Sequence, residues 1–176
     1  MALDVELTIA TGSWFRQTPA GVNPASRPIP PDDNRWQRGR VVDAVYFAAD
    51  HDCVWAEWYR HLAERGIPPQ AALPRDLWTY DVESLELVDL RNAERLGRVD
   101  LPMPTPGRRT WPAFQAIGER LYTDGFAGIL APSAARPQSD VMCMFLPTGL
   151  LPDTVAPRTP PQHVNEPPVP PTGMRT

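Results

Sequence analysis

The sequence predicts a mixed α+β domain over residues 1–148, followed by a flexible proline-rich tail over residues 149–176. Three observations carry this reading. Apolar stretches of strand length recur through the first part of the chain. Two longer segments have helical periodicity with cap signals at both ends. After Pro147 all periodicity stops.

The elements follow in order. DVELTI alternates apolar and polar residues and reads as a first strand, with TGSWFRQ as a second short extended piece. Thr18 to Arg40 is a long loop rich in proline, Asn and Asp, of the kind that is uncommon inside a compact domain unless it serves a function or is disordered. VVDAVYFAA is a near-continuous apolar run, as a buried strand requires. Asp50 is an N-cap for a helix that runs to about Arg65, where Gly66 stops it. Val54, Trp55, Trp58 and Leu62 form the apolar stripe of that helix, and Glu57 falls at its boundary, on the flank of His61 and Glu64.

DLWTYDVES and LELVDL read as two further strands, and RNAERL as a helical turn. TWPAFQAIGERLYTDG reads as the second main helix. Thr110 caps it, Pro112 sits in its first turn, Phe114, Ile117 and Leu121 line one face, and Gly125 ends it. FAGIL and VMCMFL are the last apolar strands, joined by the loop APSAARPQSD. The tail, LPDTVAPRTPPQHVNEPPVPPTGMRT, repeats proline without period and is expected to be extended and mobile.

Composition bounds the function. All 17 basic residues are Arg, 21 residues are acidic, and the net charge is −4 with no basic run, which argues against a nucleic-acid binder. Arginine's planar fork nevertheless suits a local anion site. Cys53 and Cys143 stand far apart in apolar settings and read as buried thiols, and three histidines lack metal-ligand spacing, so no metal is expected. No stretch resembles a signal peptide or is long enough to span a bilayer, so a cytoplasmic protein without membrane contact is expected.

Five positions taken in order resemble the RES family, which supplies the toxins of RES-Xre toxin–antitoxin pairs. They are Arg16 in SWFRQ, Arg35 beside Trp36 in DNRWQRG, Tyr46 in VYFAAD, Glu57 in VWAEWYRHL, and Ser133 in LAPSAARP. The resemblance spans roughly residues 12 to 146. It departs from the family pattern before the Arg-Trp pair, where Asp32-Asp33-Asn34 replaces a glycine-rich approach. The resemblance implies an ADP-ribosyltransferase-like fold, with two packed sheets and flanking helices around an NAD cleft. It further implies cleavage of the nicotinamide–ribose bond by hydrolysis, phosphorolysis or ADP-ribosyl transfer, and a separately encoded Xre-type antitoxin as partner.

The residue types suit that chemistry. Breaking an N-glycosidic bond builds positive charge on the ribose, which a carboxylate such as Glu57 stabilises. Arg16 and Arg35 offer forks for the pyrophosphate, Tyr46 a face for the nicotinamide, and Ser133 a hydroxyl for a ribose or phosphate oxygen. Two other readings stand beside this one. Asp32 and Asp33 favour a catalytically silent binding module for a nucleotide or protein, and the proline tail would suit an effector that docks a partner.

Overall fold

The structure, a computed structural model, describes residues 3–176. Its elements are β1 (Leu7–Pro19), β2 (Ala44–Ala48), α1 (His51–Arg65), a 3₁₀ turn (Pro69–Ala72), β3 (Arg75–Asp89), α2 (Ala93–Gly97), α3 (Trp111–Thr123), β4 (Gly128–Pro132), β5 (Asp140–Phe145), β6 (Val155–Pro157) and β7 (Gln162–Val164). The mixed α+β class is as expected. Two expected pairs of strands are instead single long strands, β1 and β3, which pair antiparallel from Leu7–Val88 to Pro19–Arg75. The break read between them is a bulge. Two steps along β1, Ala10 to Gly12, oppose three along β3, Val82 to Leu85. The extra residue flips the alternation, so that Tyr80, Val82, Leu85 and Leu87 all face inward despite their mixed parity.

The strands run in the order β1-β2-β5-β4-β3, and the β1–β3 pairing returns the path to its start. The two sheets implied by the resemblance are therefore two walls of one continuous sheet. Trp14, Val45, Phe47, Trp78, Tyr80, Met142 and Met144 fill the space between them. A second apolar cluster lies outside the β2–β5–β4 wall, where Phe114 and Leu121 of α3 and Leu96 of α2 cover Ala44, Ile129, Cys143 and Phe145. A third lies under α1, whose Val54, Trp55, Trp58 and Leu62 pack on Ala48 and Leu77. Both cysteines are buried free thiols.

The ring is weakest between β1 and β2, which share the single pair Phe15–Ala48. Beyond it the strands splay apart, and α1 crosses the gap. Its ends follow the sequence signals: the Asp50 carboxylate accepts from the Cys53 N–H, and Gly66 closes the helix in the left-handed region at φ 65°. α3 departs from expectation at its start. The Thr110 side chain makes no cap hydrogen bond, and its hydroxyl accepts from Arg35 instead.

The expectation of a mobile, disordered tail is corrected. β1 covers one edge of β3 along its whole length, but β4 reaches only Val88 and Asp89 on the other. β7 pairs with Arg75–Leu77 and β6 with Tyr80–Val82, covering the first part of that edge. An open edge of such a long strand exposes unpaired N–H and C=O groups, and the short pieces between prolines retain enough donors to satisfy them. Further on, the Tyr59 hydroxyl donates to the Pro168 carbonyl, and the Arg175 N–H to the Ala135 carbonyl at 2.7 Å.

Candidate active site

A cleft of about 650 Å³ opens where β1 and β2 separate. Its walls come from β1, β2, α1 and the loop over residues 22–37. That loop is pinned from behind. Trp36 is buried with its ring edge-on to Phe114 at 5.0 Å, and Gln115 Nε2 donates to the carbonyls of Asn34 and Gln37 at 3.0 and 3.3 Å. A Cβ on Gly118 would stand 2.0 Å from the Trp36 carbonyl oxygen, so only glycine allows α3 to approach this closely.

Glu57 projects from α1 into this cleft, and the boundary position read from helical geometry is what turns it there. Its Oε1 accepts from the Ser133 hydroxyl at 2.5 Å and from the Ala135 N–H at 3.2 Å. Its Oε2 accepts from Arg60, with Nε and Nη2 both at 2.8 Å. Burial pushes the Glu57 pKa up, but Arg60, the Ser133 hydroxyl and the Ala135 N–H outweigh it and hold the group below the usual carboxylate range. Glu57 is thus a fixed anion. Arg60 also binds Glu64, so its charge is shared between two carboxylates.

Ser133 lies elsewhere than its anticipated role requires. It is fully buried, donating to Glu57 while accepting from the Arg136 N–H at 2.9 Å. Its hydroxyl therefore orients Glu57, and the cleft is lined by its neighbours Pro132 and Ala134. Tyr46 contributes its ring to the cleft wall, and burial keeps its phenol protonated far above the usual range.

The two expected arginines differ. Arg35 is 9% exposed, lies over the Phe114 ring at 5.1 Å, and donates to the Thr105 carbonyl at 2.5 Å and the Thr110 hydroxyl at 3.4 Å. Burial and then Arg60 lower its pKa to about 10. Arg16 is less committed: its Nη2 donates to the Ser26 carbonyl at 2.7 Å, and its buried Nε has no partner among the described residues. Asp33 is turned away from both, accepting from the Gly39 N–H at 2.9 Å, while exposed Asp32 stands 3.9 Å from Arg65. Four of the five residues marked by sequence, Arg16, Arg35, Tyr46 and Glu57, thus line one cleft, and Ser133 is buried behind Glu57. Sequence reasoning missed Arg60, whose position three after Glu57 was a usable signal, and Arg75, which lines the cleft without any local signal.

Among the described residues, no group of His, Cys, Asp and Glu is placed to hold a metal, and no helix is long and apolar enough to cross a membrane.

Comparison with known proteins places the family and the fold. The family model described as RES domain matches residues 8–167. Among solved structures, a chain of the M. tuberculosis MbcT–MbcA toxin–antitoxin complex has the same fold. The TM-score is 0.74 at 20% identity, over 90% of this chain and 85% of that one. No curated protein matches in sequence.

Proposed function

Because the chain belongs to the RES domain family, we propose that it is a toxin-like enzyme that consumes NAD by breaking the nicotinamide–ribose bond. The observation that carries this reading is the Glu57 carboxylate, held ionised at the cleft wall by Ser133, Ala135 and Arg60. In NAD the nicotinamide is cationic. As the bond from ribose C1″ to the ring nitrogen breaks, its electron pair neutralises the ring and positive charge passes to the ribose. A nearby fixed carboxylate stabilises that oxocarbenium-like state without being reorganised, and more strongly in a cleft than in water. Aromatic walls from Tyr46, Phe15 and Trp58 suit the two flat ring systems of a dinucleotide. The volume is in the range of about 300–1,000 Å³ typical of sites for molecules of this class.

The acceptor completes the reaction. Water yields ADP-ribose, nicotinamide and a proton; phosphate yields ADP-ribose 1″-phosphate; a protein nucleophile yields an ADP-ribosylated protein. On this reading the fold is ADP-ribosyltransferase-like. An enzyme that drains NAD harms its own cell, so a separately encoded Xre-type antitoxin is the expected partner. The fold shared with a chain of a toxin–antitoxin complex supports this. The silent-module reading drew on Asp32 and Asp33, and Asp33 is occupied by the Gly39 N–H. The test is proton NMR of NAD with purified protein, in phosphate buffer and in a phosphate-free one. Nicotinamide release is expected, with the buffer dependence naming the acceptor; intact NAD in both, with folded protein, overturns the proposal.

A further inference from the structure

The charges around the cleft are unevenly balanced. At the Glu57 end two arginines, Arg35 and Arg60, lie near two carboxylates, Glu57 and Glu64, and these charges cancel. Arg27, also in the lining, is neutralised by Asp43 at 2.5 Å. Exposed Asp32 also lines the cleft, 3.9 Å from Arg65, and Arg16 and Arg75 are left over. Among the described residues neither has an Asp or Glu within ion-pair distance. Asp76, the residue after Arg75, is occupied by the Gly21 N–H at 2.8 Å and the His163 ring at 2.8 Å.

Arg75 sits at the first position of β3, in register with Pro19 of β1. Its Nε donates to Gln17 Oε1 at 2.6 Å, a diagonal cross-strand contact that fixes the guanidinium against the cleft wall and leaves both Nη groups uncommitted. Burial and then the neighbouring Arg16 lower its pKa to about 10, so it stays cationic at neutral pH. Two half-buried guanidiniums that repel each other are costly in the empty protein. A ligand carrying two negative charges removes that cost, and a dinucleotide's diphosphate carries two.

We propose that Arg75, braced by Gln17, forms with Arg16 the grip for the diphosphate of a nucleotide ligand, whereas Arg35 serves the wall of the cleft. This rests on the reading of the cleft as an NAD site and names the residue that holds the substrate's phosphates. Arg75 is thus assigned as a binding residue.

The test is titration calorimetry with ADP, which has the diphosphate but no nicotinamide to lose, and with adenosine as the phosphate-free control. Arg75→Gln is expected to weaken ADP about tenfold or more, the loss of one charge-assisted interaction, and to leave adenosine unchanged. Arg75→Lys keeps the charge without the fork and is expected to fall between the two, guarding against a misfolded glutamine variant. Arg38→Gln, on the surface against Glu119, is expected to match the wild type. Equal ADP affinity in wild type and Arg75→Gln, or equal wild-type affinity for ADP and adenosine, overturns the proposal. NAD turnover is read separately. If ADP binding depends on Arg75 and no nicotinamide is released, the grip stands and the reaction falls; turnover with unchanged ADP affinity in Arg75→Gln removes the grip alone.

Discussion

The Ser133 hydroxyl donates to Glu57 Oε1 across 2.5 Å, joining the loop after β4 to the middle of α1. The same hydroxyl accepts the Arg136 N–H, which leaves its proton for the carboxylate. The contact links residues 76 apart in sequence and holds the one carboxylate on which the proposed chemistry depends.

Ser133→Ala removes a donor to the charged form of Glu57, so the Glu57 pKa rises. In the proposed chemistry the ionised form is the active one, so the acid limb of nicotinamide release is expected to move to higher pH. The rate at neutral pH falls by about tenfold, the scale of one hydrogen bond to a charge. The pH–rate profile reads both effects. A profile identical to the wild type removes Ser133 from the mechanism.

Asp89 is a buried carboxylate held by two arginines. It is almost fully buried and accepts from Arg91 at 2.6 Å and from Arg95 at 2.5 Å. Burial raises its pKa, but the Arg91 hydrogen bonds and both cations bring it below the usual aspartate range. Its stabilising effect is therefore complete above that range and is lost as pH falls through the depressed folded value. Asp89→Asn is expected to cost about 2–4 kcal/mol at neutral pH, with the gap to wild type closing on acidification. Urea unfolding at several pH values measures it. A gap independent of pH contradicts the assignment.

Deleting residues 149–176 strips β6 and β7 from the edge of β3 and removes the Tyr59–Pro168 and Arg175–Ala135 contacts. A loss of about 2 kcal/mol or more is expected, which lowers Tm by roughly 4–8 °C in a chain of this size. Thermal unfolding followed by circular dichroism tests it. An unchanged Tm means that the tail is not bound to the sheet.

Gly118→Ala places a methyl group 2.0 Å from the Trp36 carbonyl oxygen, a backbone atom that a rotamer change cannot move. The helix and the loop behind the cleft must separate, at a cost of about 1–3 kcal/mol. Because Trp36 adjoins Arg35 in the cleft wall, ADP affinity falls as well. Thermal unfolding and calorimetry together test it, and a neutral variant contradicts the close approach.

Much of the fold was legible because local signals agreed with it. Asp50 and Gly66 bound α1 as their chemistry requires, and the apolar runs became β2 and β5. The misread places have physical causes. Gly12 and the residues near Ser84 look like turns, yet they sit at a bulge that bends two long strands without ending them. The prolines after Pro147 look like a disordered tail, but a strand edge needs only a few donors, and VAP and QHV supply them. Within the site, Glu57 by itself was a helix-boundary residue; the resemblance singled it out, not its spacing. The Ser133–Glu57 contact depends on α1 crossing the β1–β2 seam and meeting the loop after β4. Arg75 reaches the cleft only through the β1–β3 register, which no local pattern encodes.

The most direct test compares wild type with Glu57→Gln, which keeps the side chain's size and removes its charge. Nicotinamide release from NAD is followed by proton NMR, with circular dichroism confirming that both proteins are folded. The account predicts steady release by the wild type and a loss of about a hundredfold or more in the variant, the scale of removing one preorganised electrostatic contact. Equal release by both proteins would contradict it, because the cleft would then break the bond without the carboxylate that Ser133, Ala135 and Arg60 hold in place.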